Sequence, residues 1–171
     1  MGSGAFIGIA SGIPGTQCNI EQWNLEQQAK ANEVRVRTSL FTAVEFRGSV
    51  KVGGEIRCVS RKVYQRKDID FSYYDRSSGL TNLQRMQKGR PPIGVDGRPL
   101  QLHHVLQREA GPMVEIREMT HEEYHRVLHG LSCAGMSFRN NPDLNKQYNN
   151  FRIAYWKWRA ERYLKGEVKY E

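Results

Sequence analysis

Cysteine is scarce in this sequence. Only Cys18, Cys58 and Cys133 occur, they lie far apart, and no CxxC motif is present. An odd number of widely spaced cysteines argues against a disulfide framework and favours a chain that works in a reducing environment. For Cys133 the pattern favours a small buried residue over a catalytic thiol.

Long apolar runs are also missing. The first run, Ala5-Phe6-Ile7, ends at Gly8, and no segment approaches the roughly 18–20 apolar residues that a membrane span requires. The first twenty residues lack both the basic stretch and the continuous apolar stretch of a secretory signal. We therefore expect neither a membrane span nor a signal peptide in this chain.

Positive charge, by contrast, is in excess. The 171 residues carry a formal net charge of +8. Residues 1–60 hold six Lys/Arg and five Asp/Glu, whereas residues 61–171 hold twenty and thirteen, so almost all of the excess lies in the later part. Such a balance is typical either of a solvated basic surface or of a protein that binds a polyanion, such as nucleic acid or an acidic protein.

The chain divides into three predicted segments. Residues 1–32 are a Gly-rich lead-in followed by a short helix over 21–31. Residues 33–75 are a strand-rich extension, in which apolar and polar side chains alternate loosely between Val34 and Val63 and are interrupted by glycines, a pattern that predicts two to four short strands. This strand-rich extension is equally consistent with ordinary sheet packing and with a separate partner-binding domain for delivery or inhibition.

The third segment, residues 76–171, mixes helix and strand signals. Its predicted elements are a helix over 81–88, strands over 100–106 and 113–119, a helix from about 121, and a long helix over 144–165. The start at His121 depends on Thr120 and Glu123, which have the spacing of a capping box. The sequence therefore predicts an α+β fold that ends in a long amphipathic helix.

All five histidines lie between positions 103 and 129. His103 and His104 are adjacent on a predicted strand, where neighbouring side chains point to opposite sides. His125 and His129 are four residues apart on a predicted helix, so both imidazoles lie on one face and can reach one ion; His121 precedes them by one more turn. Imidazole is a common ligand of transition metals, and the pattern therefore predicts a metal-assisted catalytic centre.

A further pattern lies between Asp70 and Ala160. In chain order its residues are Thr81-Asn82-Leu83-Gln84-Arg85-Met86, Gly89, Pro92-Ile93, Asp96-Gly97, Leu102-His103-His104, Gly111-Pro112, Thr120, Glu123, His125, Leu128-His129, Tyr155-Trp156-Lys157, Arg159 and Ala160. The pattern resembles the LHH group of the HNH/endonuclease VII superfamily, nucleases named for a Leu-His-His signature. The resemblance leaves residues 1–66 uncovered.

This resemblance implies a ββα-metal core within residues 76–171. It implies that His104 is the general base and that His103, His125 and His129 bind one divalent ion (Zn, Ni, Mg or Mn). Many members of the group are the C-terminal toxin domains of bacterial antagonism systems. The resemblance therefore also implies secretion by a specialised system, action in the cytoplasm of the target cell, and a cognate immunity protein.

Basic side chains on either side of the histidines are candidates for contacts with nucleic acid. They are Arg85, Lys88, Arg90, Arg98, Arg108, Lys157 and Arg159. For each of them a solvated or ion-paired role is at least as well founded. Contacts of this kind bind phosphate, so we expect affinity to depend on salt and only weakly on sequence.

Three functions fit these observations. The first is a metal-dependent DNA endonuclease. The second is a ribonuclease on the same scaffold, because the motif determines hydrolysis more firmly than the identity of the sugar. The third is a non-catalytic module that binds metal or nucleic acid and does not need His104.

Overall fold

The computed structural model describes residues 40–106, 108–123 and 137–167. The helix predicted over 21–31 lies outside the described residues. So do Cys133 and two of the predicted metal ligands, His125 and His129.

The described residues from 40 to 66 form four strands. They are β1 (Phe41–Phe46), β2 (Ser49–Val52), β3 (Glu55–Cys58) and β4 (Arg61–Arg66). β2 and β3 pair as an antiparallel hairpin across Gly53-Gly54, whose φ angles of 60° and 94° are the left-handed values that glycine adopts without strain. The prediction of two to four short strands is confirmed.

The central sheet joins the extension to the histidine region. After the short strands β5 (Tyr74–Asp75) and β6 (Leu80–Thr81), β7 (Gln101–His104) and β8 (Met113–Ile116) form an antiparallel pair. The strand order in this sheet is β1-β4-β8-β7, with β4 and β8 parallel. β7, the strand that carries the histidine pair, therefore shares one sheet with β1 and β4 of the predicted extension.

Three α-helices are described: α1 (Asn82–Gln87), α2 (Glu118–Glu123) and α3 (Pro142–Leu164). Thr81 caps α1 in a capping box with Gln84. Asn141 caps α3 after a 3-10 turn over Phe138–Asn140. The α+β class and the long final helix are confirmed, and no helix of the described segments combines the length and apolarity of a membrane span.

The predicted start of α2 is wrong. The helix begins at Glu118, and the amide of His121 already donates to the carbonyl of Arg117 at 3.0 Å, so Thr120 lies inside the helix and does not cap it. The capping-box spacing of Thr120 and Glu123 is a local pattern, and the chain enters the helix directly from β8 instead.

A buried aromatic cluster fixes α3 against the sheet. Phe46 of β1 makes edge-to-face contacts with Phe151 and Trp158, at ring-centre distances of 5.3 and 5.4 Å. Tyr155 lies in the same cluster and is fully buried. The spacing of these residues at three and four positions places them on one face of α3, as the sequence predicts.

A buried ion pair also joins α3 to β8. Glu115 and Arg159 are both fully buried and are directly bonded to each other. Glu115 also accepts from the hydroxyl of Tyr155 at 2.5 Å and from the amide of Arg66 at 2.7 Å. This network holds β8 against α3 and β4. Because β7 pairs with β8, the network also fixes the position of the strand that carries His103 and His104.

Candidate functional site

A cleft of about 550 Å³ opens beside the end of β7. Its walls come from β7, α2, the 3-10 turn and α3. Among the lining residues are His103, His104, Glu118, His121, Phe138, Arg139, Tyr148 and Arg152.

His103 and His104 face different walls of this cleft. The His103 ring lies 5.1 Å from the ring of His121 on α2, whereas the His104 ring lies 4.5 Å from Phe138 and 4.9 Å from Tyr148. Both histidines are buried. The alternation of the strand therefore separates the pair, as predicted, while both residues still line the same cleft.

The imidazole of His104 is held by a buried carboxylate that sequence reasoning did not identify. Its Nε2 lies 2.7 Å from Oε2 of Glu109, whose side chain is fully buried. The same carboxylate accepts two hydrogen bonds from Arg61, at 2.7 and 2.9 Å, and one from Gln147 at 3.1 Å. The histidine is thus part of a network that joins β4, β7 and α3.

The charge state of Glu109 determines which nitrogen of His104 carries the proton. Burial by itself would raise the pKa of Glu109, but the hydrogen bond from His104 and the bonds and charge of Arg61 outweigh burial and lower the pKa to about 2. A carboxylate only accepts, so Nε2 of His104 is the donor in this bond. In the neutral imidazole the lone pair then lies on Nδ1.

Two imidazoles, which are possible ligands of a divalent transition metal, lie close together on the other wall. His103 and His121 bring two imidazoles together, and the carboxylate of Glu118 lines the same cleft. Nitrogen and oxygen donors of this kind bind Zn²⁺, Ni²⁺ and Mn²⁺. Within the described ranges no cluster of three or more potential ligands is found, and the remaining predicted ligands, His125 and His129, lie outside those ranges.

Two arginines that were not singled out from the sequence also line the cleft. Arg139 lies over Tyr148, with its guanidinium carbon 5.1 Å from the ring centre, and Arg152 lies 5.6 Å from the same centre. No ion pair joins either side chain to an acidic residue of the described segments. The ring that both arginines flank is the one that packs on His104.

Two of the residues predicted to contact nucleic acid are buried in the structure. Arg159 is fully buried against Glu115, and Arg85 is buried, with bonds to Asp75 at 2.6 Å and to the carbonyl of Pro91 at 3.0 Å. A guanidinium that is enclosed and already bonded has no surface to offer a phosphate. Both residues stabilise the fold instead.

The other predicted contacts lie on the surface. Arg98 is exposed and reaches Glu122 at 3.4 Å and Glu118 at 3.9 Å, so part of its charge is already balanced. The remaining members of the set, Lys88, Arg90, Arg108 and Lys157, are all exposed. Their contacts with nucleic acid stay a prediction.

The comparison with known families agrees with this geometry. Residues 81–162 match a family described as "a nuclease of the HNH/ENDO VII superfamily with conserved LHH". No solved structure matches the chain. Residues 81–162, which contain the Leu102-His103-His104 signature at the cleft, are therefore a nuclease domain of the LHH group in the HNH/endonuclease VII superfamily.

Proposed function

We propose that this chain is a metal-dependent endonuclease that hydrolyses phosphodiester bonds of DNA, with His104 as the general base. One observation carries the proposal: the second histidine of the signature lies in the cleft with its Nε2 bonded to the ionised Glu109. A general base needs this combination of access to substrate, a fixed ring and a lone pair directed away from its partner.

The proposed reaction is the attack of water on phosphorus. Nδ1 of His104 takes one proton from the water, the water oxygen forms a bond to phosphorus, and the bond from phosphorus to the 3′ oxygen breaks. The leaving oxygen takes up a proton from solvent, and the imidazolium of His104 then returns its proton to solvent. Because both the attacking water and the phosphodiester are poor reactants near neutral pH, a positioned imidazole contributes about 10²–10⁴-fold to such a step.

The order of β7, β8 and α2 supports a ββα-metal core. In that core His103 would hold the ion together with His125 and His129, the two further ligands that the resemblance implies. A bound divalent ion neutralises a non-bridging oxygen and stabilises the leaving oxygen.

Arg139 and Arg152 are suited to contact the phosphate backbone. Both line the cleft that contains His104, and neither has an acidic partner in the described segments. Arginine forms two parallel hydrogen bonds to a phosphate group and remains charged at any working pH. The two side chains therefore supply positive charge where the scissile segment would lie.

Replacing these arginines should weaken binding and lower its salt dependence. In a His104→Asn background that does not cleave, we expect Arg139→Gln or Arg152→Gln to reduce the slope of log affinity against log salt for duplex DNA by about one per lost contact. Fluorescence anisotropy with a labelled duplex measures this slope. The control Arg47→Gln removes an exposed arginine that does not line the cleft. An unchanged slope in both cleft variants would show that neither Arg139 nor Arg152 contacts the DNA backbone.

The preference for DNA is tested by a direct comparison of substrates. Supercoiled plasmid, single-stranded DNA and structured RNA are incubated with the protein and one divalent ion at a time. We expect plasmid to be nicked and then linearised before RNA is degraded. Faster cleavage of RNA would establish the ribonuclease alternative, and binding without cleavage of any substrate would favour the non-catalytic module.

We further propose that the chain acts as a toxin in bacterial antagonism. In this role it is delivered by a specialised secretion system into the cytoplasm of a neighbouring cell and is held inactive by an immunity protein. Support comes from the resemblance to toxin domains of this group. Expression of the chain in the bacterial cytoplasm should stop growth and fragment the chromosome, whereas the His104→Asn variant should not; harmless expression of an active nuclease would contradict the toxin role.

A further inference from the structure

The family match begins at residue 81, yet the carboxylate that holds His104 is itself held from outside the match. Arg61, on β4, donates two hydrogen bonds to Glu109, at 2.7 and 2.9 Å. Their side chains are buried, at 2% and 0% exposure. A buried ion pair is costly unless its geometry is good and its other polar atoms are bonded, and here the geometry is that of two parallel bonds.

Arg61 is in turn fixed on every side. Its Nε donates to the carbonyl of Val59 at 3.0 Å, and its guanidinium carbon lies 3.9 Å from the centre of the Phe151 ring. Gln147 of α3 donates a third bond to Glu109 at 3.1 Å. The carboxylate therefore cannot turn away from His104 without breaking bonds to two other elements.

We propose that Glu109, clamped by Arg61 and Gln147, is the positioning residue that fixes the ring and proton of His104, and that β4 is therefore part of the catalytic apparatus. This inference rests on the proposed function, in which His104 is the base. Glu109 itself touches no reacting atom. It accepts from Nε2, so the lone pair of the neutral ring is on Nδ1, and its charge stabilises the imidazolium that forms when Nδ1 takes the proton.

The first test separates turnover from binding. We expect Glu109→Gln, which removes the charge but keeps the shape, to lower kcat about 10–100-fold while KM for DNA stays within about twofold. The control Arg57→Gln removes an arginine of β3 that pairs with Asp143 of α3 near the surface, and it should leave both constants unchanged. An unchanged kcat in a folded Glu109→Gln protein would overturn the proposal.

The second test does not depend on cleavage and allows for misfolding. The double variant Arg61→Met and Glu109→Leu removes the buried pair as a unit and leaves no unpaired charge, a change that buried ion pairs often tolerate. NMR of the metal-free protein with nitrogen-labelled histidine should show a downfield, slowly exchanging Nε2 proton of His104, assigned by its absence in His104→Asn. We expect this resonance to disappear in the double variant.

The two tests distinguish a failure of the positioning role of Glu109 from a failure of the proposed nuclease function. If the wild-type protein cleaves no nucleic acid, the proposed function fails, and the Nε2 resonance still decides whether Glu109 holds His104. If the protein cleaves and the resonance persists in the double variant, the function stands and the positioning role of Glu109 is wrong.

Discussion

Replacement of His104 should abolish cleavage without unfolding the protein. We expect His104→Ala and His104→Asn to slow plasmid cleavage by about 10²–10⁴-fold, because each removes the only group assigned to take a proton from water. His104→Asn is the more informative variant. Its side-chain amide can still donate a hydrogen bond towards Glu109, so the buried carboxylate keeps a donor in place of the lost imidazole.

Two controls give this result its meaning. Circular dichroism and thermal unfolding must show that the variants are folded, and titration with a divalent ion must show that metal affinity is retained. Cleavage at the wild-type rate by a folded His104 variant would show that the base has been assigned to the wrong residue. Loss of metal binding would indicate that His104 is a ligand.

The second large effect concerns stability and not catalysis. Arg159→Met should lower the free energy of unfolding by about 3–5 kcal/mol, because it leaves the fully buried carboxylate of Glu115 without its counter-charge. Urea denaturation followed by tryptophan fluorescence measures this change. The control is Arg162→Gln, because the partner of Arg162, Glu167, is about half exposed. This substitution should lower the free energy of unfolding by no more than about 1 kcal/mol.

This experiment also decides between two roles for Arg159. If the side chain contacts nucleic acid, as the sequence alone suggests, its replacement weakens DNA binding and leaves stability near that of the control. If it holds α3 to β8, stability falls, and the double variant Glu115→Leu with Arg159→Met recovers a large part of the loss because no charge is left unpaired.

Local patterns predicted the fold well where the cause of structure is local. The glycines of the β2–β3 turn and the helical spacing of Phe151 and Tyr155 act over a few residues, and the elements they predict are present. Thr120 shows the limit of this reasoning. Its capping-box spacing is correct, but the helix already begins at Glu118.

The signature histidines could be found in the sequence because they are adjacent and lie in a recognisable motif. The residues that complete the site could not. Glu109 meets Arg61 across 48 positions of sequence, and no spacing or periodicity connects them. Arg139 and Arg152 come to the cleft through the 3-10 turn and α3, which only the tertiary fold places beside β7.

The same limit applies to the basic residues that are buried in the structure. In a sequence, Arg85 and Arg159 look like Lys88 and Lys157, since each is a cation on a predicted helix. Only packing shows that the two arginines meet Asp75 and Glu115 inside the protein, while the two lysines face solvent. Charge counting therefore predicts that a basic surface exists, but not which side chains form it.

The central claim, that this chain is a metal-dependent DNA endonuclease, is tested most directly by one assay. The full chain is freed of metal with EDTA, dialysed, and incubated with supercoiled plasmid after addition of Mg²⁺, Mn²⁺, Ni²⁺ or Zn²⁺. We predict no cleavage in the metal-free sample and nicking followed by linearisation with at least one ion. Cleavage that persists in EDTA, or intact plasmid with every ion and a folded protein, would contradict the claim.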